Sequence, residues 1–416
     1  SLPLEGKVPN GCEADEVGRT SPLQSKGRAG AHIHPQNKRR TYMTSQVFFT
    51  DFRARPGTSV PEKLTRLLRR AGLPGMDLDG KFVAIKMHFG EPGNLSFLRP
   101  NYAKVVADLV KECGGVPFLT DCNTLYPGRR KNALEHIEAA YENGFSPFST
   151  GCQIIIGDGL KGTDDVEVPV VGGEYVKKAK IGRAVMDADV FISLSHFKCH
   201  ESTGFGGTIK NIGMGCGSRA GKMEQHNSGK PDIDQSLCRG CHACTQECGQ
   251  NAIYFDENNR AHIDHDKCVG CGRCLGRCNF DAIYNENASA NDDLNRKMTE
   301  YAKAVVDGRP QFHISLIMDV SPFCDCHPEN DVPILPDIGM LASKDPVALD
   351  QACADLCCAA TPLPNSRLTD NQSAPGFVSL GDPFRDTTPE SVWESCLAHA
   401  EKIGLGSRTY ELVKMK

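Results

Sequence analysis

"KFVAIKMHFGEPGNLSFLRPNYAKVVADLVKECGGVPFLTD", residues 81–121, decides the architecture of this chain. Its first nine residues form a short apolar run, the pattern of a strand buried on both faces. From 100 to 113 the period changes. Tyr102, Val105, Val106, Leu109, Val110 and Cys113 recur at helical spacing, and Gly114–Gly115 supply the stop. A second apolar run, "VPFLTD" (116–121), follows at once. Strand, helix and strand in this succession make a βαβ unit, whose parallel strands need a helix to cover the sheet.

The alternation continues outward. "SQVFFTDF" (45–52) reads as a strand upstream. Downstream come a helix near 130–142, the strand "CQIIIGD" (152–158) and the strand "ADVFISLSHF" (188–197). The texture resumes late in the chain, with a polar helix near 292–307 and the strand "FHISLIMDV" (312–320). "IGMLASKDPVALDQACADLCC" (338–358) reads as a strand, a turn at Asp345–Pro346 and a helix. A helix near 388–403 and a short strand close it. The expectation is an α/β fold, a largely parallel sheet with helices on both faces, interrupted by a small α+β insertion. Host segments are expected at 43–230 and 288–416, around a module at 231–287. Residues 1–42, rich in Gly, Pro, Ser and charge, are expected to be disordered or to lie upstream of a natural start at Met43.

The insertion carries two cysteine lines, "CRGCHACTQECGQNAIY" (238–254) and "CVGCGRCLGRCNFDAIY" (268–284). Each is C-x2-C-x2-C-x3-C. Three thiolates from one tight loop can converge on a cubane cluster, and the fourth, carried away on a helix, reaches the neighbouring one. This assigns one [4Fe–4S] cluster to Cys238, Cys241, Cys244 and Cys278, and a second to Cys268, Cys271, Cys274 and Cys248. Zinc usually takes two well-separated pairs. The internal repeat resembles the bacterial-type two-cluster ferredoxin over roughly residues 231–287, with Gly249 and Asn279 where a proline commonly follows the fourth cysteine.

Polar residues gather where strands end, which is where open α/β sheets place their sites. "KMHFGEPGN" (86–94) offers His88, "TDCNTLYPGRR" (120–130) offers Asp121, and "SHFKCHESTGFGGTIKNIGMGCGSRAGKMEQH" (195–226) offers Lys198, His200 and Lys210. These five are the catalytic candidates. The glycines of the last stretch could bring backbone N–H groups to an anion, or simply dock the insertion. "MDVSPFCDCH" (318–327) adds Cys324, Cys326 and His327, a candidate extra metal or redox site. Cys113, Cys353 and Cys357 fall on apolar helix faces and read as small core residues.

Net charge is −5, so nothing electrostatic points to nucleic acid, and no apolar run approaches a membrane span. Twenty cysteines without a secretory signal point to a reducing compartment, the cytoplasm. Several of the quoted stretches, together with "DIGMLASKDPVALD", resemble the family named domain of unknown function 362 in its ferredoxin-containing form, over residues 45–360. The resemblance implies the architecture and the clusters, and no reaction. Two readings follow. The chain is an iron–sulfur electron-transfer protein, exchanging electrons with a redox partner protein, whose host domain binds an anionic ligand, a metal or that partner, as in a ferredoxin-linked oxidoreductase. Alternatively it is a non-catalytic carrier, docking partner or metallocofactor-maturation partner of another redox enzyme.

Overall fold

The computed structural model describes residues 44–125, 128–226, 230–268, 274, 277–278, 280, 282–284 and 291–415. Residues 1–42, Met43 and the cluster candidate Cys271 lie outside them. Eight strands share one sheet: β1 (Ser45–Asp51), β2 (Phe82–Lys86), β3 (Val116–Asp121), β4 (Gln153–Ile156), β5 (Val190–His196), β6 (Gln311–Ile317), β7 (Gly339–Ser343) and β8 (Tyr410–Lys414). Their spatial order is β8-β1-β7-β6-β5-β2-β3-β4. All neighbours run parallel except at β7, which is antiparallel to both β1 and β6. The strands after the cysteine lines lie beside those before them, since β6 and β7 sit between β1 and β5.

Side chains alternate across this sheet as a period of two requires. Val83 and Ile85 of β2 enter one core and Ala84 the other, while Ile192 and Leu194 of β5 oppose Phe191. Both faces are apolar, so both need cover. Helices α1 (Val60–Arg70) and α2 (Pro100–Glu112) bury Leu64, Leu67, Ala103 and Val106 against the first face. On the second, α3 (Thr208–Cys216), α4 (Asn291–Val306) and α5 (Pro346–Cys358) contribute Ile209, Ile212, Met298, Ala348 and Cys353. Cys357 is buried there too, whereas Cys113 is half-buried at the end of α2.

Helix α4 reads as polar in sequence yet is largely buried. Its Glu300 explains how. The fully buried carboxylate accepts the N–H groups of Glu174, Tyr175 and Val176 and lies 2.9 Å from His399 Nε2. A buried polar group is tolerated when its partners are in place.

Between 230 and 284 the described elements are small. Asp232–Ile233 pairs with Ile283–Tyr284, Ile253–Phe255 pairs with Ala261–Ile263, and Ala243–Glu247 is a short helix. Among the described residues no helix is long and apolar enough to cross a membrane.

Candidate functional site

The sheet order sets the carboxyl ends of β6, β5, β2 and β3 side by side. Beyond β2 the chain winds outward through β3 and β4, then returns to place β5 on the other side of β2. That reversal opens a crevice at the strand ends. A cavity lies there, lined by His88, Asp121, Lys198, His200, Lys210, Cys324 and Cys326 among others. All five catalytic candidates and both cysteines of the extra site therefore share one wall.

The cavity is cationic. Lys86, Arg130, Lys198, Lys210 and Lys222 line it. Three carboxylates answer them: Asp121 lies 3.0 Å from Lys86, Glu91 lies 2.6 Å from Arg130, and Asp325 lies 3.3 Å from Lys198. Burial would raise the Asp121 carboxyl, yet Lys86 and then His88 hold it well below the usual range. Asp325 behaves alike: burial opposes its charge, and His196 and Lys198 overcome it. Both ring nitrogens of His196 face acceptors, Asp325 at 2.9 Å and the Met318 carbonyl at 2.7 Å. Lys222 donates to the Gly217 carbonyl at 2.6 Å. Lys210 faces sulfur, its Nζ 3.7 Å from Cys324 Sγ.

Within the 195–226 stretch Gly206, Gly207 and Gly215 line the cavity, while the start of α3 is taken by an internal acid. The first amides of α3, on Thr208 and Ile209, donate to the Asp350 carboxylate at 2.7 and 2.8 Å, so an internal acid occupies that helix start. A Cβ at Gly213 would come within 2.0 Å of the Met298 carbonyl on α4, and one at Gly215 within 2.4 Å of Lys86 Nζ. The absent side chains let α3 press onto α4 and admit the buried lysine. Asp350, 142 residues from Thr208, carries no local signal of this role.

The histidine beside the cysteine pair is His200 rather than His327. His327 turns its Nε2 to Glu201 at 3.1 Å, whereas His200, Cys324 and Cys326 bring one donor atom each within 4.8 Å of one another. Three such donors suit a soft cation by type. The ring orientation opposes it. His200 Nδ1 accepts the N–H groups of Ser202 and Thr203 at 3.1 and 3.2 Å, and burial, then Lys210, pushes the ring down to about 4. A neutral ring accepting at Nδ1 carries its proton on Nε2, which leaves no lone pair for a metal.

In the cysteine-rich segment, Cys238, Cys241, Cys244 and Cys278 line a second cavity of about 340 Å³, walled by Ile233, Phe255, Ala261, Ala282 and Ile283. Gly240 and His242 both take positive φ, 63° and 60°, which coils the backbone between the first three cysteines. A Cβ at Gly240 would lie 2.3 Å from the Asn259 carbonyl, so glycine is required there twice over. Amides of Ala261 and Ala252 donate to the sulfurs of Cys238 and Cys248 at 3.4 and 3.3 Å. Four converging thiols, apolar walls and N–H donors to sulfur fit a cubane cluster. Cys248, Cys268 and Cys274 of the other set are described, and Cys271 is not.

The two cavities adjoin. Leu125 lines the cationic one and belongs to the apolar cluster that contains Cys238, Cys244, Cys274 and Cys278. Lys131 Nζ donates to the Cys278 carbonyl at 3.2 Å. Leu125 stands in a polar loop, and nothing in the sequence singled it out.

Comparison with known proteins gives three kinds of likeness. Over 131 residues the chain is 29% identical to a thylakoid-associated protein of Synechocystis sp., a match covering 30% of this chain and 35% of that protein. The chain thus spans about a third of that curated relative's length. Among solved structures, a protein from Thermotoga maritima aligns at TM-score 0.37 and 13% identity, covering 72% of this chain and 57% of that one. The lactate racemase apoprotein from Thermoanaerobacterium thermosaccharolyticum aligns at TM-score 0.34 and 13% identity, covering 66% and 51%. Residues 83–355 match the family described as "Domain of unknown function (DUF362)". That match takes in β2 through most of α5, including the cationic cavity and both cysteine lines, and the chain belongs to this family.

Proposed function

We propose that this chain is an iron–sulfur electron-transfer protein with two [4Fe–4S] clusters, and that its α/β domain binds a small anionic ligand beside them. One cluster would be held by Cys238, Cys241, Cys244 and Cys278, the other by Cys268, Cys271, Cys274 and Cys248. The observation that carries the reading is Cys278. It lies 34 residues beyond Cys244 and nonetheless shares a cavity with the three cysteines of the first line, as crossed ligation requires. Clusters of this class supply single electrons at potentials tuned by burial and N–H donors to sulfur.

Support for the anionic ligand is electrostatic. Five cations line the larger cavity, and three of them pair with Asp121, Asp325 and Glu91, so the wall as a whole favours a ligand of negative charge. Lys198 keeps its charge against burial because Asp325 outweighs that penalty. Leu125 borders both the ligand cavity and the apolar cluster of the cysteine segment, and Lys131, next to the cavity residue Arg130, donates to the Cys278 carbonyl.

Anaerobic purification with iron and sulfide analysis tests this. About eight irons per chain and two interacting paramagnets on reduction are expected. Cys278→Ser should remove the signal of the first-line cluster and keep the other. Loss of only the second cluster would overturn the crossed ligation, and zinc in place of iron would overturn the function.

A further inference from the structure

Two thiols in the wall of the cationic cavity have no role in ligand binding or cluster ligation. Cys324 and Cys326 bracket Asp325, whose carboxylate is taken up by His196 and Lys198. A turn closed by the His327 N–H donating to the Cys324 carbonyl at 3.0 Å folds Cys326 back on Cys324. Both sulfurs then border the cavity, which Leu125 joins to the cysteine segment.

The surroundings are built for one thiolate. Lys210 Nζ stands 3.7 Å from Cys324 Sγ, and Lys198 and His200 line the same wall. The hydrogen bond from Cys326, followed by Lys210 and Lys198, holds the Cys324 thiol well below its ordinary range despite burial, and the same bond raises Cys326. Cys122, on the same wall, differs: burial pushes it well up, and its thiol is tied to the Cys216 carbonyl at 3.4 Å. One thiolate beside one thiol, with an ammonium at the thiolate, is the arrangement of a thiol–disulfide couple poised toward oxidation of its partners.

We propose that Cys324 and Cys326 form a redox-active dithiol–disulfide pair that stores two electrons exchanged with the clusters. For its electrons the pair rests on the iron–sulfur reading above, which supplies two one-electron donors. Reduction of the disulfide takes two electrons and one proton. The S–S bond breaks, the proton from solvent goes to Cys326, and Cys324 leaves as a thiolate beside Lys210. Oxidation reverses this: the two sulfurs bond, Cys326 gives its proton to solvent, and the two electrons return one at a time to the clusters.

The test is redox equilibration of the anaerobic full-length protein in dithiothreitol buffers of graded potential, then acid quench, differential alkylation and peptide mapping. One Cys324–Cys326 disulfide per chain should titrate as a two-electron couple. Lys210→Met, which removes the ammonium from the thiolate, should shift the dithiol–disulfide ratio about tenfold toward the disulfide. Cys326→Ser should abolish the internal disulfide while Cys324 still alkylates below the pH range of an ordinary thiol, which shows that the site remains folded. Two thiols that stay independent at every potential would overturn the pair. So would one metal ion per chain beyond the cluster iron that disappears in Cys324→Ser. Iron content and EPR of the same samples separate the two readings. Clusters without a titrating disulfide defeat the pair alone, and a titrating disulfide without clusters defeats the iron–sulfur function alone.

Discussion

Two regions of this chain keep their interiors together by different means. In the sheet, Val83, Ile85, Ile192, Phe312 and Ile314 are fully buried on strands five to seven residues long, and helices close both faces. Between 230 and 284 the paired strands are two or three residues long, and among the described residues four of the eight buried members of the local core are cysteines. Each buried Ile or Phe of the sheet contributes about 1.5–3 kcal/mol, whereas isolated two-stranded ribbons are marginal in water. The first region is held by apolar area. On the proposed reading, the second depends on the clusters its cysteines would hold.

Removing iron should therefore separate the regions most sharply. After anaerobic chelation, amides of Ile253–Phe255 and Ala261–Ile263 are expected to exchange about 100-fold faster, while β2, β5 and β6 keep their protection. Unchanged exchange in the segment would break the comparison.

Next in size is the buried ion pair at the cavity floor. Lys86→Met leaves the Asp121 carboxylate unpaired in a dry site and should cost about 3–5 kcal/mol by denaturant unfolding. Adding Asp121→Asn should recover much of that loss. A single variant as stable as the parent would mean the pair is hydrated.

Acid should act mainly on the host. Burial lowers His136 and His313 to about 3, and His200 to about 4, so their stabilising effect is complete above the ordinary histidine range and is lost as pH falls. Asp158 and Asp350, both raised by burial to about 6, have the opposite sign, favouring the folded state as they protonate. With His88 and His226, which burial also lowers, five histidines outweigh two acids, for a net loss on the order of 6 kcal/mol between pH 7 and pH 5. Thermal unfolding across that range checks it; a rising Tm would reverse the sign.

The smallest effect concerns the glycine stretch. Gly213→Ala should cost about 1–3 kcal/mol by forcing α3 off the Met298 carbonyl. The variant should leave cluster EPR unaltered, because α3 packs on α4 and the sheet. A cluster signal that changes with Gly213 would show that the two regions are mechanically coupled.

The sheet was legible along the chain because its evidence is local. "VPFLTD" is β3 residue for residue, and the helical spacing from Tyr102 to Val110 is α2. Legibility failed where a residue's partner is distant. His327 follows the cysteine pair in sequence and reads as its companion, but a turn carries it to Glu201. His200, 124 residues earlier than Cys324, takes the place beside the sulfurs. Likewise the start of α3 looked free to cradle an anion until Asp350 arrived from α5 to cap it.

Periodicity and spacing alone established the strands, the helices and the two cysteine lines, because each rests on contacts within about one turn or one loop. They also marked which strand ends carry chemistry. Only the tertiary structure chose the order β6-β5-β2-β3, and with it a shared cavity, because strand pairing is settled by burial across the whole sheet. Only the fold brought Cys278 to Cys244, Leu125 between the two cavities, and Lys210 to Cys324.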